Sequence, residues 1–282
     1  MRFISASDSC SQKRLIGVIS AQSILGAGSL SILYGTWYAK YPRSSFHFIN
    51  DNNEWKKMDK AGHCMTSYYV GKIGYESLRW AGAKERNAVW AGGLLGFAYL
   101  GTVEVFDGFS SEWGFSPGDL FANGIGSALF IAQQLAWKEQ RILLKWSFHL
   151  TDYAQLNPSQ LGKNYPERIL KDYNGQTYWL SANLYSLASM HNHFPKWLNL
   201  SIGYGAEGMV GGRSNPAMIG NRTIPLFERR SQFYIAPDID LTRIQTRSRN
   251  LKLLFELIGF IKFPMPTLEL GKNTIKFHYL YF

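Results

Sequence analysis

The pattern of apolar and polar positions divides the chain into a helical part and a strand-forming part. Leu15 to Tyr38 carry no charge, and a run of that length is enough for one helix to cross hydrocarbon. Lys13-Arg14 precede it, and Trp37, Tyr38 and Lys40 close it with side chains suited to a membrane interface. A signal peptide cut near Ala27-Gly28-Ser29 is the alternative, but apolar sequence continues beyond that point and favours a retained anchor.

Three further segments have helical spacing. Over 54–81, Trp55, Met58, Gly62, Met65, Tyr69, Ile73, Glu76 and Trp80 fall on one face, with Lys56, Lys60, Lys72 and Arg79 opposite. Residues 86–106 are more apolar, and Gly92, Gly93 and Gly96 allow close helix approach. Ser116 is placed to cap a helix running to about Trp137, with Pro117 in its first turn and Asp119 near its positive end. If four segments cross a membrane with the N-terminus inside, Arg79, Lys84 and Arg86 lie inside and Glu104 to Asp119 outside. That orientation satisfies the positive-inside rule.

Beyond about residue 142 the period changes from helical to alternating. Phe233, Ile235, Ile239 and Leu241 share one strand face, and Gln232, Tyr234, Asp238 and Asp240 the other. The same alternation recurs at 178–184, 198–204 and 275–281, while 249–260 reads as a helix. Such strands fit a half-buried antiparallel sheet, and equally an outer-membrane barrel with apolar residues outside, an option to which terminal Phe282 adds a small signal. The expected fold is therefore α+β. An N-terminal membrane-associated bundle of about four helices is followed by a C-terminal antiparallel β-rich region. Residues 1–40 form the anchor or signal-like helix, 41–141 the helical region and 142–282 the β-rich region.

Charge narrows the partners. The chain carries a formal +10, and residues 141–282 hold 17 Lys/Arg against 9 Asp/Glu. With no zinc-finger spacing or other nucleic-acid signature, an anionic membrane or envelope polymer is the expected partner, and nucleic acid is not. Aromatics make up 15% of the residues, a density that suits a membrane surface or an aromatic-rich sheet. Two cysteines, Cys10 and Cys64, exclude a disulfide framework.

Candidate chemistry concentrates on polar residues of the apolar helices: Asp59, His63, Glu104, Asp107, Asp119 and Asn123. Asp59 and His63 are one helical turn apart, as are Asp119 and Asn123, while Glu104 and Asp107 are three apart. Buried carboxylates and imidazoles are costly unless paired, so their recurrence on neighbouring helices marks a site. Three readings compete. These are a structural network tying helix ends, a hydrolytic or metal-assisted site, and recognition of an amphiphile's headgroup. No cofactor is named by any motif, and a nucleophile elbow, a phosphate-binding loop and the HExxH zinc pattern are absent. Elsewhere, His191 and His193 read as a solvated turn, Asp238 and Asp240 as groove-lining or water-facing, and Gly203 to Gly212 as closely approached backbone. Arg229-Arg230 and Arg243 to Arg249 read as a solvated or lipid-facing surface.

Asp59-Lys60-Ala61-Gly62-His63, Glu104-Val105-Phe106-Asp107-Gly108-Phe109-Ser110 and Ser116-Pro117-Gly118-Asp119-Leu120-Phe121-Ala122-Asn123-Gly124-Ile125-Gly126, in that order, resemble the YfiM-like family of predicted periplasmic lipoproteins. More distantly they resemble VanZ-like membrane proteins, with a DK..H helix, an acidic helix end and a D..AN..G helix. Glu167 to Leu180 resemble the longer, envelope-associated members of the first group. The resemblance implies a cell-envelope location and a helical polar cluster, and no reaction. The expectation is a non-enzymatic envelope protein that binds or organises a membrane lipid, an envelope glycolipid or an outer-membrane protein assembly. A metal-assisted or acid/base hydrolase acting on an envelope amphiphile is the alternative.

Overall fold

The structure, a computed structural model, describes residues 6, 7, 9–188, 194–271 and 274–281. It combines N-terminal helices with a six-stranded antiparallel sheet. The chain divides into two units. Residues up to 52 together with 60–140 form the helical unit, and 53–59 with 141–282 form the sheet unit.

The helical unit contains α1 (Gln12–Leu33), α2 (Met58–Trp80, from residue 60 onward), α3 (Glu85–Gly93), α4 (Leu95–Gly108) and α5 (Pro117–Trp137). The single apolar helix expected over 86–106 is interrupted at Leu94, so the helical unit has five α-helices among its described residues where about four were expected. Gln12–Tyr38 and Glu85–Gly108 are each long and apolar enough to cross a membrane. Of α1 only Val18 is buried, and Ile16, Ile24, Leu25 and Ile32 are well exposed.

The face of α2 that packs differs from the one its apolar residues mark. Ser67, Tyr68, Gly71, Gly74 and Tyr75 are buried, while Ile73 and Trp80 point outward. Backbone contact between helices decides this. A Cβ on Gly96 of α4 would lie 2.1 Å from the Ser67 carbonyl oxygen, and one on Gly126 of α5 would lie 2.0 Å from that of Cys64. Small residues thus grip α2 from two sides, the close approach typical of helices that pack without a hydrophobic driving force.

The sheet unit begins with β1 (Ile142–Phe148), followed by the short helices α6 (Tyr153–Leu156), α7 (Pro158–Leu161) and α8 (Tyr165–Lys171). Then come β2 (Gln176–Asn183), α9 (Leu184–Leu187), β3 (Leu198–Glu207), the small hairpin β4 (Met218–Ile219) and β5 (Arg222–Thr223), and β6 (Arg230–Ile239). The helix α10 (Arg249–Ile258), β7 (Met265–Leu270) and β8 (Ile275–Tyr281) complete it. The order β1-β2-β3-β6-β7-β8 is antiparallel throughout. Phe282, His191 and His193 lie outside the described residues.

Residues 53–59 are tied into this unit. Met58 is fully buried against Ala206 and Met209, with Trp55, Tyr173, Tyr178 and Tyr204 around it. To reach that position Trp55, Lys56 and Lys57 take φ of 44°, 53° and 65°, a left-handed run that costs about 1–2 kcal/mol per residue outside glycine. Hydrogen bonds from Trp55 N to Gly212 O (2.8 Å) and from Tyr204 Oη to Lys56 O hold it.

The faces of the strands are sorted as alternation requires, with the polar face buried. In β6, Gln232, Tyr234, Ala236 and Asp238 are buried while Phe233 and Ile235 are exposed, and β3 buries Asn199 and Ser201 while exposing Leu200 and Ile202. Asp238 and Asp240 therefore do not face water. Asp238 sits 2.9 Å from Lys145 Nζ and accepts from Ser181 Oγ, and Asp240 accepts from Thr242 and pairs with Arg243 at 3.1 Å.

Candidate functional site: a buried polar network in the helical unit

Three helices and the segment before α2 bring the polar residues of the helical unit together. The start of α5 forms as its sequence dictates, with Ser116 Oγ accepting from Asp119 N at 3.1 Å and Pro117 in the first turn. The same hydroxyl donates to Asp51 Oδ1 at 2.7 Å, and Ser116 N donates to Glu104 Oε2 at 3.2 Å. One cap residue therefore links α5, α4 and the chain entering α2.

Lys60 occupies the centre. Its ammonium lies 2.6 Å from Asp51 Oδ2 and 2.9 Å from Asp119 Oδ1, all three side chains being nearly enclosed. The amphipathic reading put Lys60 on a solvent face. It turns inward instead, because two buried carboxylates cannot stay charged without a cation between them. Burial acts to raise the Asp51 pKa, but hydrogen bonding by the Asp119, Lys60 and Ser116 side chains and the Lys60 charge outweigh it and hold the carboxyl below its usual range.

A second cluster lies about His63. Nδ1 is 3.1 Å from Asn123 Oδ1 and 3.6 Å from Glu104 Oε1. An amide oxygen can only accept, so this contact calls for the tautomer protonated at Nδ1. Ser67 Oγ donates to Asn123 O at 2.7 Å and lies 3.0 Å from Ser127 Oγ, fixing the α2–α5 register one turn further on. Asn123 is fully buried, yet its amide nitrogen finds no acceptor among the described residues. The imidazole of His63 beside it remains one-fifth exposed.

Of the six candidates, His63, Glu104, Asp119 and Asn123 fall in this network. Asp107 turns away, accepting from Tyr38 Oη at 2.7 Å, and so ties α4 to the end of the N-terminal helix. Asp59 precedes Lys60 on α2 but falls in the sheet unit, where Tyr173 Oη donates to it at 2.9 Å. Sequence reasoning missed Asp51 and the inward role of Lys60. The signal for Lys60 was present in the Asp59 to His63 motif, whereas Asp51 has no motif of its own and its Ser116 partner lies 65 residues away. Also missed was a second buried set, in which Gln134 donates to Tyr75 Oη (2.8 Å) and Glu85 Oε1 (2.9 Å), and Arg79 pairs with Glu85 at 2.8 Å.

These features define an α+β protein with polar groups gathered inside its helices. Residues 47–134 match a family described as Predicted periplasmic lipoprotein (DUF2279), a span that contains every member of the network. The match agrees with the cell-envelope, membrane-associated location read from the sequence. No curated protein and no solved structure matches the chain.

Proposed function

We propose that the protein is a non-catalytic, membrane-associated component of the cell envelope whose helical unit binds the polar head of an envelope amphiphile beside His63 and Asn123. The observation that carries this reading is the buried Asn123 amide nitrogen without an acceptor. A buried donor left unmet costs about 1–3 kcal/mol, and a phosphate, carbonyl or hydroxyl oxygen reaching it past the partly exposed imidazole removes that cost. The remainder of the network supports binding better than turnover. Lys60 and its two carboxylates are satisfied by one another, and Glu104 is committed to Ser116 and His63. The outward apolar residues of the unit, among them Ile73, Trp90, Phe121, Ile125 and Leu135, suit a hydrocarbon environment that would bring such a ligand alongside.

The test is native mass spectrometry of the full chain in detergent, titrated with phosphatidylglycerol, phosphatidylethanolamine and a lipid-linked glycan. Asn123→Leu should weaken the preferred lipid about tenfold, the equivalent of one hydrogen bond to a charged group, while thermal unfolding stays cooperative. Unchanged affinity in a folded N123L protein would leave the network a structural device only. Metal analysis and turnover assays on the same preparation address the hydrolase alternative, and the proposed reading expects neither bound metal nor turnover.

A further inference from the structure

The sheet unit is built with its polarity reversed relative to a protein core in water, most clearly across β2, β3, β6 and β7. Register aligns Leu144, Leu180, Ile202, Ile235, Leu268 and Phe277 in one outward row, of which the last five are 37% to 56% exposed. The neighbouring row on the other face holds Lys145, Trp179, Gly203, Tyr234 and Glu269, whose side chains are enclosed. The sheet curls until Tyr281 of β8 lies 3.2 Å from Thr177 of β2 and donates to Tyr234 of β6 at 2.7 Å.

Inside it an ion pair is completely enclosed. Lys145 Nζ is 2.9 Å from Asp238 and donates to Ile239 O at 2.6 Å, while Lys262 Nζ reaches the carbonyls of Pro237 and Phe263 at 3.1 Å. In water this arrangement is unfavourable on both faces. Each buried ion costs several kcal/mol before pairing, and each exposed Leu, Ile or Phe forgoes about 1.5–3 kcal/mol. In hydrocarbon the outer face changes sign, because its apolar side chains then meet acyl chains, while the enclosed ion pair stays shielded from the lipid.

Two further features choose acyl chains over a protein surface as the occupant. The edge of β1 is satisfied by Trp146 N to Phe260 O (2.9 Å) and Lys262 N to Trp146 O (2.8 Å), so that edge leaves fewer backbone groups unmet in lipid. Finally, α10 exposes Leu251, Leu254 and Leu257 with Arg247, Arg249 and Lys252 close by, the make-up of a helix lying on an anionic lipid surface.

We infer that the outer face of the sheet is a lipid-facing belt, occupied by the acyl chains of a bilayer with α10 at its headgroup level. The test uses the full chain in vesicles of phosphatidylethanolamine and phosphatidylglycerol. It is labelled in parallel with a hydrophobic diazirine dissolved in the acyl region and with hydroxyl radicals in the water, and both are mapped by fragment mass spectrometry. Leu180, Ile202, Phe233, Ile235 and Leu268 should carry about fivefold more carbene adduct than hydroxyl adduct relative to exposed Leu226, because no water reaches such a face. The inference is overturned if those residues oxidise like Leu226 while carbene adducts stay within Gln12–Leu33. It is equally overturned if they escape both reagents and chemical cross-linking joins two copies through the strands.

Discussion

At the scale of single residues, Lys60 contributes most to the helical unit because two enclosed carboxylates depend on it. Lys60→Met should lower stability by about 3–5 kcal/mol, the usual result of leaving buried charge without its partner, and thermal unfolding in detergent would show it. Acid should act on the same triad. The Asp51 carboxyl is held below its ordinary range, so its stabilisation is complete above its unfolded pKa of about 4 and is lost as pH falls through the lower folded value. Melting temperature measured from pH 6 down to pH 3 should therefore fall in wild type and fall less in Asp51→Asn. The motif residues around His63, Glu104 and Asn123 were legible in the sequence because polar side chains interrupt apolar helices there. Asp51 was not, since one acid in an Asn-rich turn looks like any solvated loop.

At the scale of elements, glycine contacts position the site in the helical unit, and a left-handed turn shapes the first segment of the sheet unit. Gly126→Ala would drive a methyl into the Cys64 carbonyl and push α5 off α2. A loss of about 1–3 kcal/mol follows, together with weaker lipid binding because Asn123 shares that helix. Gly101→Ala is the matched control: its Cβ would meet only Leu120 Cδ1 at 3.7 Å, and replacing a helical glycine there should gain about 0.5–1 kcal/mol. Lys56→Gly should stabilise the sheet unit by about 1 kcal/mol by relieving the φ of 53° while keeping the carbonyl that Tyr204 bonds. Denaturant titration separates all three. The caps and ends of α5 and the helix α10 were readable from residue pattern. The rotation of α2 was not: Ile73 and Trp80 mark an apolar stripe, and a stripe facing lipid has the same spacing as one facing a core.

At the scale of the whole molecule, each unit by itself encloses charged and amide side chains and turns leucine, isoleucine and phenylalanine outward. The alternation of β2, β3 and β6 was evident from the sequence, but period alone cannot say which face is inside. The enclosed Lys145–Asp238 pair and the exposed Ile202 and Ile235 decide it. This sorting ties the basic excess of the C-terminal half, the apolar N-terminal helix and the family match to the proposed account, a protein that resides in an envelope membrane. The most direct measurement places a nitroxide at position 202 through Ile202→Cys on a Cys10→Ser, Cys64→Ala background, with the full chain in vesicles. Collision with oxygen should exceed collision with a water-soluble nickel complex, as for a hydrocarbon-facing site. The reverse order, with the nickel complex dominating at 202, would contradict the account.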